Sequence, residues 1–232
     1  MISSLTNRLI CIFSAWVCLT ATAFGAPVVQ PAGIGFGDSY RLAFVTSVTT
    51  DAVSGDVSVY NDFVTSVANS VTELADLELN WFAVVSTGTV DAHDNTFTKP
   101  STEFGGSVGV PIFLLDGTKL VDSNDDLWDG SLDRPFDVME TGDAVTSGTL
   151  FVGTGTTTDG TVFPGRPMGA SFPEIGFLSS TTSTWVRFDS SLPETERRIY
   201  AISEQIDIPL PGPGPLGLMM AGLIFMTAFR RR

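Results

Sequence analysis

Apolar and polar positions change period several times along the chain, and each change marks an element. Tyr40, Leu42, Phe44 and Thr46 alternate with Arg41, Ala43 and Val45, which predicts a strand buried on both faces near its middle. Residues 51–56 are turn-like. From Val57 the period becomes helical: Tyr60, Phe63, Val64, Val67, Ala68, Val71, Leu74 and Ala75 fall on one stripe, with Asp56 or Ser58 placed to cap its start. Residues 81–86 predict a second strand, and the polar, glycine-containing run 91–109 a long loop. Residues 111–115, then Asp116-Gly117 and Lys119-Leu120, predict a strand, a tight turn and a short return strand. The stretch 122–168 has few periodic apolar residues and predicts loops, pinned by Trp128, Phe136, Phe151 and Phe163. Segments 185–188 and 198–205 predict a closing hairpin. This order of elements predicts a mixed α+β domain, with an all-β sandwich as its rival.

The two ends of the chain follow a different pattern. Arg8 precedes an apolar run over residues 9–19, and small residues follow, as in a secretory signal over residues 1–25. Cleavage is expected after Gly25, with Ala23 and Gly25 at the small positions, or after Ala23; a retained membrane anchor is the other reading. Both cysteines, Cys11 and Cys18, lie inside that segment, so a mature chain has neither disulfides nor thiol chemistry. At the other end, Pro209-Leu210-Pro211-Gly212-Pro213-Gly214-Pro215 is an extended punctuation that no helix or central strand tolerates. Residues 216–229 are uncharged and mostly apolar, and Arg230, Arg231 and Arg232 close the chain. Fourteen residues of helix span about 21 Å, against roughly 30 Å of hydrocarbon, so this is a short transmembrane helix. The arginines would stay cytoplasmic and place the body on the far side of the membrane.

This three-part tail, about residues 207–232, resembles the PEP-CTERM sorting signals of exported proteins in exopolysaccharide-producing Gram-negative bacteria. There a proline motif, a short membrane helix and a terminal basic cluster are handled by an exosortase. Pro209-Leu210-Pro211 after Ile208 looks like the variant with Leu where the commoner form has Glu. The resemblance implies an export translocon and an exosortase-type processing enzyme as partners. It also implies a transient stay in the inner membrane, then the cell surface or extracellular polysaccharide matrix. An ordinary tail anchor is the plainer alternative.

Charge narrows the classes that remain. Residues 26–208 hold eight basic and 26 acidic residues, a net −18. A phosphate backbone requires a basic face, so nucleic-acid binding is excluded, and an anionic membrane surface would repel this body.

Residues 26–206, read as the exported acidic domain, resemble the C-type-lectin-like superfold and its endostatin-like branch. The landmarks are Trp81-Phe82-Ala83-Val84-Val85-Ser86 after the helix, then Pro111-Ile112-Phe113-Leu114-Leu115-Asp116-Gly117. Leu127-Trp128-Asp129-Gly130-Ser131 and the closing Arg198-Ile199-Tyr200-Ala201-Ile202-Ser203-Glu204 follow. The usual cysteine staples and the glutamate-proline-asparagine sugar motif are absent from the body.

Two clusters could carry chemistry. Asp122-Ser123-Asn124-Asp125-Asp126-Leu127-Trp128-Asp129-Gly130 is the densest set of oxygen ligands, and Asp122, Asn124, Asp126 and Asp129 are the candidate calcium ligands. An EF-hand is excluded, because Leu127 stands where Gly is needed and Asp133 where Glu is needed. A solvated loop is the plain alternative, and Trp128 is either a core plug or a sugar-stacking platform. Asp91-Ala92-His93-Asp94-Asn95-Thr96 contains the only histidine in the chain. His93 between carboxylates could serve as a general base, with Ser86 as a nucleophile; the plain reading is a loop of backbone-capping side chains. No nucleophile elbow, phosphate loop or dinucleotide fingerprint is present, so nothing positive points to an enzyme. The expectation is a non-catalytic exported protein. A calcium-assisted carbohydrate-binding module is the alternative, and a hydrolase using His93 a weaker one.

Overall fold

Buried on both faces, the run Leu42-Ala43-Phe44-Val45 can sit only at the middle of a sheet, and it does. The structure is a computed structural model that describes residues 31–211. Strand β1 (Ser39–Val45) lies between β8 (Tyr200–Ser203), antiparallel, and β3 (Ile112–Leu114), parallel. Ala43 is opposite Ile202 on one side and Leu114 on the other. Outside these, β2 (Trp81–Ala83) pairs with β8, and β4 (Lys119–Val121) returns along β3 through the Asp116-Gly117 turn. The sheet order is thus β2-β8-β1-β3-β4. A second sheet of three strands joins β5 (Phe151–Gly153), β6 (Glu174–Phe177) and β7 (Asp189–Ser190). Finally β9 (Ile206–Asp207) pairs with the start of β1.

Helix α1 (Val57–Asn69) starts where Asp56 accepts a 3.0 Å hydrogen bond from the Ser58 N–H. It buries Tyr60, Val64, Val67 and Ala68 against the sheet. The predicted stripe continues to Ala75, but the helix does not. The chain breaks at Ser70, whose hydroxyl donates to Val67 O, and resumes as α2 (Thr72–Ala75). With helices, one mixed sheet and one antiparallel sheet around one buried cluster, the fold is α+β; the all-β alternative is ruled out.

Other expectations need correcting. Residues 91–109 contain a helical turn, α3 (Ala92–Asn95), and residues 122–168 contain α4 (Asn124–Leu127) and β5. Of the four aromatic pins, Trp128 and Phe136 are buried, while Phe151 and Phe163 are half-buried. The expected strand at 185–188 is instead the end of a 3-10 turn, Ser183–Trp185, and β7 after it pairs with β6 rather than with the closing strand. This turn lies hard against β6: a Cβ on Gly176 would stand 2.0 Å from Trp185 O, so only glycine permits the approach. Trp185 thereby enters the core beside Trp128, Phe136 and Tyr200.

The globule also runs slightly past residue 206. Asp207 is in β9, and Ile208 donates to Asp38 O and accepts from Gly37 N–H. Pro209, Leu210 and Pro211 follow, exposed and without regular structure. The signal residues Ala23 and Gly25, the apolar segment 216–229 and Arg230, Arg231 and Arg232 lie outside the described residues. Among the described residues, no helix is long and apolar enough to cross a membrane.

Candidate functional site

The short helix α3 is held from three directions, which is why a single turn with three polar residues out of four can form it. Ser86 Oγ, from the extended chain after β2, accepts from the Ala92 N–H at 2.9 Å. Asn95, at its other end, donates to Ala83 O at 2.8 Å and exchanges amide hydrogen bonds with Asn61 of α1. Arg41, buried in β1, donates to Thr96 O and Phe97 O, both at 3.1 Å, and to Ser203 O at 2.8 Å. The helix closes with Phe97 N–H on Asp94 O and Thr98 N–H on His93 O. That closure puts Phe97 at φ +57, a left-handed conformation usually left to glycine. The strained Phe97 ring stands out from the surface, edge-on to Phe82 at 5.1 Å.

His93 is 1% exposed, beneath Gly160 and beside Trp128. Gly160 has φ +86, and a Cβ there would meet the Trp128 ring at 2.8 Å and the His93 Cβ at 2.9 Å, so only glycine permits this close approach. Nδ1 lies 3.3 Å from Asp94 Oδ1 and Nε2 3.4 Å from Glu103 Oε2, yet neither ring nitrogen makes a hydrogen bond. Lys99 Nζ sits 2.8 Å from the same Asp94 oxygen. Burial pushes the Asp94 carboxyl up, but the Lys99 ammonium and His93 outweigh it and hold the carboxyl below its usual range. Lys99 is raised in turn, chiefly by its hydrogen bond to Asp94.

His93, Asp94 and Lys99 line a cleft of about 320 Å³, together with Phe97, Phe104, Gly105, Gly106 and Ser107. Phe104 is fully exposed at the rim. The wall is fastened by residues expected to hold calcium or to neighbour it. Asn124 is buried and donates to Ser107 O at 3.2 Å, and its own N–H donates to Val108 O. Asp125 accepts from the N–H and hydroxyl of Ser101.

The expected calcium set is therefore not gathered. Asn124 is turned inward as a fastener, and Asp129 accepts from the Ser131 N–H and hydroxyl. Asp122 and Asp126 do approach one another, joined by Asp133 rather than by the other two. Lys119 bridges Asp122 and Asp133 at 2.5 and 3.2 Å. Trp128 is a core plug, 5% exposed, with Nε1 donating to Thr98. Ser86, paired with His93 in the hydrolase reading, is buried and holds the first N–H of α3. Lys99 and Glu103 went unflagged in the sequence; the one pointer to them was their closeness to the lone histidine. Compared with known proteins, the sequence matches no family model and no curated protein.

Proposed function

We propose that this chain is a non-catalytic exported protein, sorted through a PEP-CTERM-like tail by an exosortase-type enzyme to the cell surface or the polysaccharide matrix. The observation that carries this reading is the end of the described globule. Among the described residues Ile208 is the last whose backbone bonds to the rest of the fold, on the segment just before β1, and the Pro209-Leu210-Pro211 motif begins at the next position, exposed and without regular structure. A processing enzyme needs an unstructured backbone, and this segment offers one without disturbing the fold. The body's net −18 would keep the released form soluble. The element order of strand, helix, strand, hairpin and closing strand supports a lectin-like body. Replacing Pro209, Leu210 and Pro211 together by alanine should leave the melting temperature unchanged. In the producing cell it should make the full-length precursor accumulate in the inner membrane; processing at the wild-type rate would refute the motif's role.

A second reading, a carbohydrate-binding module, is favoured by the cleft, where Phe97 and Phe104 stand beside Asp94, Lys99 and Ser107. Exposed aromatic faces beside polar groups suit a sugar ring. Calcium assistance would then draw on Asp122 and Asp126 with Asp133, in place of Asn124 and Asp129. On this reading Phe104→Ala, at a fully exposed side chain, keeps the fold but loses retention on immobilised polysaccharide. Equal retention of the variant and the wild type would dismiss the cleft as the sugar site.

A further inference from the structure

We propose that the cleft floor is a site for a divalent transition-metal cation of the zinc class, bound by His93 Nδ1 with the carboxylates of Asp94 and Asp91. One ligand atom from each of these three residues lies within 4.8 Å of the other two. Carboxylates often gather on acidic proteins without holding an ion, and what distinguishes this group is the histidine. His93 is almost wholly buried, lines the cleft, and leaves both ring nitrogens without a hydrogen bond. The carboxylates at 3.3 and 3.4 Å make no hydrogen bond to the ring, so an imidazole so placed regains little of the hydration it forfeits unless something binds it.

The distances suit a metal. Around an ion held tetrahedrally at about 2.0–2.1 Å, neighbouring ligand atoms lie about 3.3 Å apart. The separation of His93 Nδ1 from Asp94 Oδ1 is 3.3 Å. With Nδ1 on the metal, Nε2 would carry the proton, and the Glu103 carboxylate, 3.4 Å away in the metal-free protein, is the group placed to accept it and fix the tautomer. Three protein ligands leave a fourth position on the cleft side for water or a ligand oxygen.

Lys99 completes the picture. Its ammonium, 2.8 Å from Asp94 Oδ1, supplies the positive charge that this carboxylate group calls for in the metal-free protein. It is partly exposed and unbranched, and swings into the cleft when a cation displaces it. A nitrogen ligand also separates this site from calcium, which takes oxygen alone. The acidic group at Asp122, Asp126 and Asp133 contains no histidine, and Lys119 already bridges two of its carboxylates. The inference does not depend on the export reading.

The test is a titration of the purified, chelator-stripped protein with cobalt(II), followed by its visible absorption, with zinc and calcium as competitors. The expected result is one site per chain with the intense bands of tetrahedral cobalt, abolished by zinc and untouched by calcium at the same concentration. His93→Gln should lose the bands. Lys99→Gln, at the cleft rim, should bind several-fold more tightly, and it keeps the test decisive if the His93 variant fails to fold. No tetrahedral spectrum from the folded protein, a spectrum that survives in folded His93→Gln, or a Lys99→Gln that binds no more tightly would each overturn the proposal.

Discussion

Trp185→Ala is expected to lower the unfolding free energy by about 3–5 kcal/mol, the usual range for truncating a fully buried tryptophan. Trp185 is wholly inaccessible, and its ring meets Trp128 at 5.7 Å, Phe136 at 6.2 Å and Tyr200 at 5.6 Å. Phe136 and Tyr200 are themselves stacked at 4.2 Å, and the Tyr200 hydroxyl donates to Trp185 O. Truncation therefore opens a cavity among rings that cannot collapse into it, because each is held by another contact. Trp185→Phe should cost clearly less: most of the volume remains, and the indole N–H, buried without a partner, is removed. Denaturant unfolding followed by far-ultraviolet circular dichroism measures both. A loss below about 1 kcal/mol for the alanine variant would mean that this cluster is not the centre of the core.

Arg41→Met is expected to cost about 3 kcal/mol and to loosen the cleft before the rest of the molecule. The guanidinium is buried in β1 and donates to three carbonyl oxygens, two on α3's closing turn and one on β8. A hydrogen bond from a charged group contributes roughly 1.5–3 kcal/mol, and methionine fills the space while supplying no donor. Burial lowers the Arg41 pKa while Glu204 opposes the shift, so the charge is kept in place by its partners. Lysine at this position keeps the charge but not the planar fork that reaches Thr96 and Phe97 together, so Arg41→Lys should recover only part of the loss. Hydrogen exchange supplies the local readout. Amides of residues 92–104 should exchange faster in Arg41→Met while those of β1 and β8 stay protected; uniform acceleration would place the role of Arg41 in the sheet instead.

What the sequence could reveal of this fold followed the strength of each local signal. Helix α1 was legible because thirteen residues carry an apolar stripe and an N-terminal cap. The strand β1 was legible because its apolar run is unbroken from Leu42 to Val45. By contrast, α3 has four residues, three of them polar, and no periodicity; it exists because Ser86 and, from farther along the chain, Asn61 and Arg41 hold its ends. The second sheet was hidden for a related reason. Its strands are two to four residues long, and they sit among glycines and threonines that read as loop. Trp185 misled in the opposite direction: an aromatic beside Val186 looks like a strand, yet the close approach to Gly176 makes it a turn.

The candidate site was half legible. His93 and its flanking aspartates stood out as the only histidine between carboxylates. Glu103 and Lys99 reach them only because the 97–107 loop folds back, fastened by Asn124 and Asp125. The densest acidic run reads as a calcium loop on composition, yet three of its four named ligands bond backbone groups: Asp126 and Asp129 accept from N–H groups, and Asn124 donates to Ser107 O. Asx side chains offer their oxygens to nearby N–H groups as readily as to a cation, and spacing alone does not separate the two uses.

The fate of the polypeptide's last two dozen residues in the producing cell tests the central claim most directly. Pulse-labelled protein carrying a tag within the body should first fractionate with the inner membrane at full length. It should then convert to a shorter form, outside the cytoplasm, whose carboxyl end maps by mass spectrometry within or next to Pro209-Leu210-Pro211. A full-length chain that persists in the inner membrane, or one recovered intact from the cytosol, would contradict the account.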